Sequence, residues 1–115
     1  MTRIKRGTVT KKRHKRLLKQ TKGFWGMRGN IFKNASDTLL RAMAFATKGR
    51  KLKKRDMRAL FITRIAAAAQ SHGISYSKFI HGLILANVQL NRKMMSQLAI
   101  FEPLAFEKLA EIAKG

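Results

Sequence analysis

Residues 1–58 of this chain carry 20 lysines and arginines against two acids, Asp37 and Asp56, a formal charge of +18. Residues 59–115 carry six against three, Glu102, Glu107 and Glu111, or +3. Cations packed that densely, without acids to pair them, repel one another in any compact form, so the first stretch makes a poor core and a good match for a polyanion. Yet apolar residues make up 45% of the chain, too many for a basic tail that never folds. The reading is a basic arm, 1–58, followed by a small near-neutral domain, 59–115. At 115 residues there is room for one core of modest size and not for two.

The second part is punctuated for helices. ALFITRIAAAAQSHG places alanine and aliphatic residues at helical spacing, and Gly73 stands where a left-handed cap would end the helix. Ser75 is placed to cap the next one, with Ile74 and Phe79 as a hydrophobic staple. That helix runs through YSKFIHGLILA and fades near Asn87. Asn91, with Leu90 and Met95 as staple, opens a third over RKMMSQLAIF, and Pro103 suits the first turn of a last helix, PLAFEKLAEIAK. No alternating strand pattern with hairpin turns appears. The expected fold class is all-α.

In the arm, residues 8–20 can form one basic helix, interrupted by KGFWGMRGN at 22–30. From Ile31 onward Ala35, Leu39, Ala42, Phe45 and Ala46 recur at helical spacing. Gly49 costs a helix about 1 kcal/mol relative to alanine, which does not force a break. A single helix from near 32 to near 71 is expected, its 26 residues before the domain extending roughly 40 Å.

Several functions are excluded early. The chain has no cysteine, so disulfides, thiolate zinc sites and thiol catalysis are out. No apolar run approaches the roughly 18 residues that span a bilayer, and no membrane partner is expected. The first 20 residues lack the apolar segment of a secretory signal. They are basic and acid-free like an organellar presequence, but contain no serine and run straight into more basic chain. His14, His72 and His81 have no ligand spacing, the carboxylates are scattered, and there is no phosphate-cradling glycine loop. Neither an enzyme nor a bound metal or cofactor is expected. Met94 and Met95 read as core filler.

The remaining reading is nucleic-acid binding. The candidate contacts are Arg3, Lys5, Arg6, Lys11, Lys12, Arg13, His14, Lys15, Arg16, Lys19 and Lys22 before the glycine-rich stretch, with Phe24, Trp25 and Arg28 inside it. Lys33, Arg41, Lys48, Arg50, Lys51, Lys53, Lys54, Arg55 and Arg58 follow on the long helix. Lys78, His81, Arg92 and Lys93 are candidates around the loops of the domain. Charge strung along an arm and interleaved with Phe24, Trp25, Phe32 and Phe45 suits the crevices of a folded RNA, where unpaired bases stack on aromatic faces. Readers of duplex DNA present one recognition helix on a self-supporting fold. A free-standing DNA-compacting nucleoid protein is the alternative. Glycines 23, 26 and 29 would let the backbone bend and approach a sugar–phosphate chain.

TRIKRG at 2–7, RHKRLLKQTKG at 13–23, KKRDMRALFITRIAAAA at 53–69 and above all HGISYSKFIHGL at 72–83 resemble the bacterial-type large-subunit ribosomal protein twenty family along nearly the whole chain. The resemblance implies an all-helical fold with an N-terminal extension threaded into ribosomal RNA and a small C-terminal domain on the outer side of the subunit. It implies direct binding to large-subunit ribosomal RNA early in assembly, neighbouring large-subunit ribosomal proteins as partners, and no catalysis. It further implies a ribosome of a bacterium or an organelle, and, for members that repress their own translation, their own messenger RNA as a partner. Thr47–Lys48–Gly49 replaces a common Tyr-Arg-Asp, and Phe61 a frequent Trp. Ala66 and His81 replace frequent Asn, while Asn30 and Asn34 stand where basic residues are usual. The changes at 30, 34 and 49 bear on local RNA contacts; the neighbouring cations remain dense.

Overall fold

The computed structural model describes residues 7–115. They form α1 (Thr8–Gln20), a 3₁₀ turn (Gly26–Arg28), α2 (Phe32–Ser71), α3 (Tyr76–Leu85), α4 (Arg92–Phe101) and α5 (Pro103–Lys114), with no strand among the described residues. The all-α expectation holds, and α2 continues through Gly49 as one helix. The chain divides into two compact units between Arg50 and Lys51; the change of charge at Arg58 lies in the same helix.

In the first unit α1 buries nothing completely. His14, Leu17 and Leu18 are half-buried, and the cations of α1 occupy the rest of its surface. Thr21 ends the helix, its N–H donating to the Leu17 carbonyl. Its hydroxyl is fully buried and donates to the Leu18 carbonyl at 3.3 Å. The chain then reverses through Gly23 (φ +88°) and Gly26 (φ +57°), both in the left-handed region that side chains disfavour. Gly29 serves differently: a Cβ there would come within 3.0 Å of the Phe24 carbonyl oxygen. The His14 ring stacks on Phe32, centroids 3.9 Å apart and planes at 22°, tying α1 to the first turn of α2.

In the second unit Gly73 (φ +73°) closes α2. Its N–H donates to the Gln70 carbonyl and the Ile74 N–H to Ala69, the paired bonds of a Schellman motif. Ile74 packs into the core that this geometry points it toward. That core is Ile65 and Ala69 of α2, Ile74 of the following turn, Phe79 and Leu83 of α3, Met95 of α4, and Phe106 and Ala110 of α5. The pairs 65/69, 79/83 and 106/110 are each one turn apart, so each helix presents a single stripe. The rings of Phe79 and Phe106 stack at 5.2 Å. Gly82 lets α3 lie directly on the backbone of Ala113 in α5.

Asn87 (φ +54°) ends α3 with the same pair of bonds, from Asn87 to Ile84 and from Val88 to Leu83. Asn91 caps α4, its Oδ1 accepting from the Met94 N–H at 2.8 Å. Ser75 occupies the cap position of α3 but makes no capping bond; its hydroxyl lies 3.4 Å from that of Ser77. Of the two methionines read as core, Met95 is buried and Met94 is about half exposed.

Candidate nucleic-acid interface

Every one of the seventeen Lys and Arg side chains described between residues 7 and 58 is exposed. That follows from local sequence, because neither the arm's helices nor its turn offers an apolar bed for so many charged heads. On α1 the pairs Lys11/Lys15, Lys12/Arg16 and Lys15/Lys19 are neighbours one turn apart. On α2 the cations from Lys48 to Arg58 cover about 220° of the helix circumference at 100° per residue, the remaining sector holding Gly49, Leu52 and Asp56. A helical stretch charged over most of its circumference has little face for a protein core and a broad one for a polyanion. Arg3, Lys5 and Arg6 lie outside the described residues.

The glycine-rich stretch holds its two aromatics differently. Trp25 is 90% exposed, so the single tryptophan has no core around it. Phe24 is half-buried beside it and offers less of its ring. Arg28 of the turn and Arg41 of α2 line one groove of about 390 Å³ together with Asn34, Asp37 and Thr38. Asn34, Asp37, Thr38 and Arg41 share one face of α2 at spacings of three and four. His14 has one ring face covered by Phe32. Lys48 holds its ammonium 6.0 Å from the centre of the exposed Phe45 ring.

In the second unit Lys78 and His81 are exposed on α3, one turn apart, and Lys93 is exposed on α4. Arg92 is half-buried, its Nε–H donating to the Tyr76 hydroxyl at 3.1 Å. That bond links the first residue of α3 to the first residue of α4, so Lys78, Arg92 and Lys93 belong to two helix starts that meet. Tyr76 was not among the residues expected at the site. The sixteen-residue separation hides the pairing, although both residues directly follow their helix-cap positions, Ser75 and Asn91. Among the described residues no group of His, Asp and Glu could hold a metal. No described helix is long and apolar enough to cross a membrane.

The family described as Ribosomal protein L20 matches residues 3–109. A "Large ribosomal subunit protein bL20" of Clostridium novyi (strain NT) is 54% identical over 114 residues, 99% of this chain and 96% of that one. Proteins of the same name from Thermoanaerobacter sp. (strain X514) and Trichormus variabilis are 51% and 50% identical, over 99% and 98% of this chain and 96% of each of theirs.

Proposed function

The chain belongs to the ribosomal protein L20 family, and from that membership we propose that it binds large-subunit ribosomal RNA directly through its basic arm, 1–58, and organises that RNA early in assembly. It is a protein of the large ribosomal subunit, like the relatives that carry that name. Those relatives are bacterial, and its place is the cytoplasmic ribosome of a bacterium.

The observation that carries the proposal is that all seventeen arm cations among the described residues are exposed. Where RNA helices converge, their phosphates repel, and cations delivered on a thin helical element relieve that repulsion from within. Arginines bridge two phosphates with paired N–H groups, while lysines act as mobile point charges. Trp25 supplies a stacking face for an unpaired base. The joined starts of α3 and α4, with Lys78, Arg92, Lys93 and nearby His81, give a second contact whose geometry the Tyr76–Arg92 bond fixes. Its own message, folded to present a similar surface, would meet the same charges.

Sedimentation of cell extract with and without ribonuclease tests the reading. The chain is expected to travel with the large subunit and to leave that position when the RNA is digested; ribonuclease-resistant association with DNA would favour the compacting alternative. Salt titration of RNA binding is the quantitative arm. If about ten cations meet phosphates, log affinity falls against log salt with a slope of about −7 or steeper. A slope shallower than about −3 would mean that the cations are mainly solvated.

A further inference from the structure

We propose that the corner formed by the end of α4 and the start of α5 is a protein-docking surface, and that its occupant is a protein segment carrying an apolar anchor beside lysine or arginine. The inference deepens the ribosomal reading and rests on it only for the setting in which the partner is met.

Three observations coincide at this corner. Phe101 ends α4 at 74% exposure, Leu104 stands in the first turn of α5 at 75%, and Ile100 is half exposed. Only Glu102 and Pro103 separate Phe101 from Leu104. Met94, also half exposed, lies on the same side of α4 two turns before Phe101. Single exposed aliphatics are ordinary, but a group of this size on a small unit marks an interaction site. Second, Glu102, Glu107 and Glu111, all exposed, are the only acids after Asp56. Against Lys108 and Lys114 they give residues 94–115 a formal −1 within a chain of +21. Third, a groove of about 390 Å³ opens beside the patch, walled by Ala68, Ile100, Pro103 and Phe106, with Arg64 and His72 in its polar lining.

Charge decides between occupants. RNA laid on this corner would bring phosphates against three carboxylates and release few counterions, while cation-rich surface stands free elsewhere on the same chain. A second copy meets the mutual repulsion of two +21 chains. A basic protein segment gains in both respects. Its apolar side chain covers Phe101 and Leu104 and enters the groove, and its cations meet the three glutamates at the rim. An apolar centre inside a charged rim is how protein interfaces are built, and the rim charges select the partner.

The test places a photo-reactive phenylalanine analogue at position 104 of the full chain, expressed in a bacterium, with large subunits isolated after illumination. The expected product is a covalent adduct with a protein, the joined peptide containing lysine or arginine near an apolar residue. Adding Glu102→Lys, Glu107→Lys and Glu111→Lys should lower the adduct yield by about tenfold, the combined worth of a few exposed ion pairs. An adduct with RNA, with a second copy or with an acidic peptide overturns the inference, as does no adduct above background or a yield that the reversals leave unchanged or raise. The substituted positions are exposed, and an unchanged thermal melt shows that the fold survives. Absence of the unsubstituted chain from the large-subunit peak would overturn the ribosomal reading as well. Its presence there with the adduct on RNA would overturn the docking inference alone.

Discussion

Replacing Gly82 by alanine sets local propensity against packing. Within α3 alone the change should help, because alanine is favoured over glycine in a helix interior by about 1 kcal/mol. Packing predicts the opposite sign. A Cβ at 82 would fall on the backbone of Ala113 in α5, 2.7 Å from both its carbonyl carbon and its Cα, where ordinary contact begins at 3.4 Å. The obstacle is helix backbone, not a side chain that can swing away, and the Ala113 carbonyl oxygen stands nearer still, so relief requires α5 to retreat by more than about 0.7 Å. Such a retreat loosens Phe106 and Ala110 from the rest of the core they share with Phe79 and Leu83. Forcing a methyl into a packed interior costs about 1–3 kcal/mol, and a clash between two backbones belongs at the upper end. Setting about 3 against the helical gain of about 1 leaves a net loss of about 2 kcal/mol. For a unit of this size, Lys51–Gly115, that lowers Tm by about 8–16 °C. The assay is a far-ultraviolet circular dichroism melt of the full chain, with Gly49→Ala as control. No atom lies within 4 Å of a Cβ at Gly49, so the control should hold or raise Tm. A Gly82→Ala chain that melts at or above the parent would refute the packing argument.

Three further outcomes are expected. Trp25→Ala should weaken RNA binding by about 1–3 kcal/mol, the worth of one stacked base, in a filter-binding or fluorescence titration. Because Trp25 is exposed, the thermal melt should not move, and a clear loss of stability would place the ring in a core after all. Asn91→Ala should cost about 1 kcal/mol of stability through loss of the bond to Met94, while Ser75→Ala, which removes no capping bond, should stay within about 0.5 kcal/mol; equal losses in chemical denaturation would contradict the assignment of one working cap and one idle one. Tyr76→Phe deletes the acceptor of Arg92 Nε and should cost about 1 kcal/mol of stability. It should also lower RNA affinity, and an unchanged affinity would remove the joined helix starts from the proposed contact.

Most of the fold was legible in the sequence because its helices are bounded by residues that act locally. Gly73, Asn87, Asn91 and Pro103 each set a helix end through their own backbone or side-chain chemistry, and such signals survive without knowledge of the tertiary fold. Three features were not legible for the complementary reason. Ser75 has the right side chain for a cap but spends its hydroxyl beside Ser77. Met94 and Met95 are adjacent and alike, and only the facing of α4 decides that 95 enters the core. Gly29 reads like Gly23 and Gly26 in sequence, yet it is required for room beside Phe24 and not for a positive φ. At the candidate site the cations were readable as composition. The Tyr76–Arg92 bond and the groove shared by Arg28 and Arg41 depend on which elements meet, which no local pattern encodes.

The central stretch of α2 shows why charge and core are kept apart along one helix. Between Lys48 and Arg58 the pairs Arg50/Lys54, Lys51/Arg55 and Lys54/Arg58 put like charges one turn apart, with Asp56 the single acid nearby. At roughly 0.2–0.5 kcal/mol each, the three repulsions together oppose the helix by about 1 kcal/mol. No buried side chain lies between Arg41 and Arg64 to offset that loss. The same helix buries Ile65 and Ala69 in the core, where packing holds it at that end. Phosphates alongside residues 48–58 reverse the sign of every pair, because each cation then faces an anion instead of a neighbour of its own charge. The helix that carries the charge is therefore more stable on a polyanion than off it, and the gain is largest where acids are scarcest. Placing the core beyond Arg58 lets the second unit fold on its own apolar contacts, while the charged stretch draws its stability from the RNA it is proposed to bind.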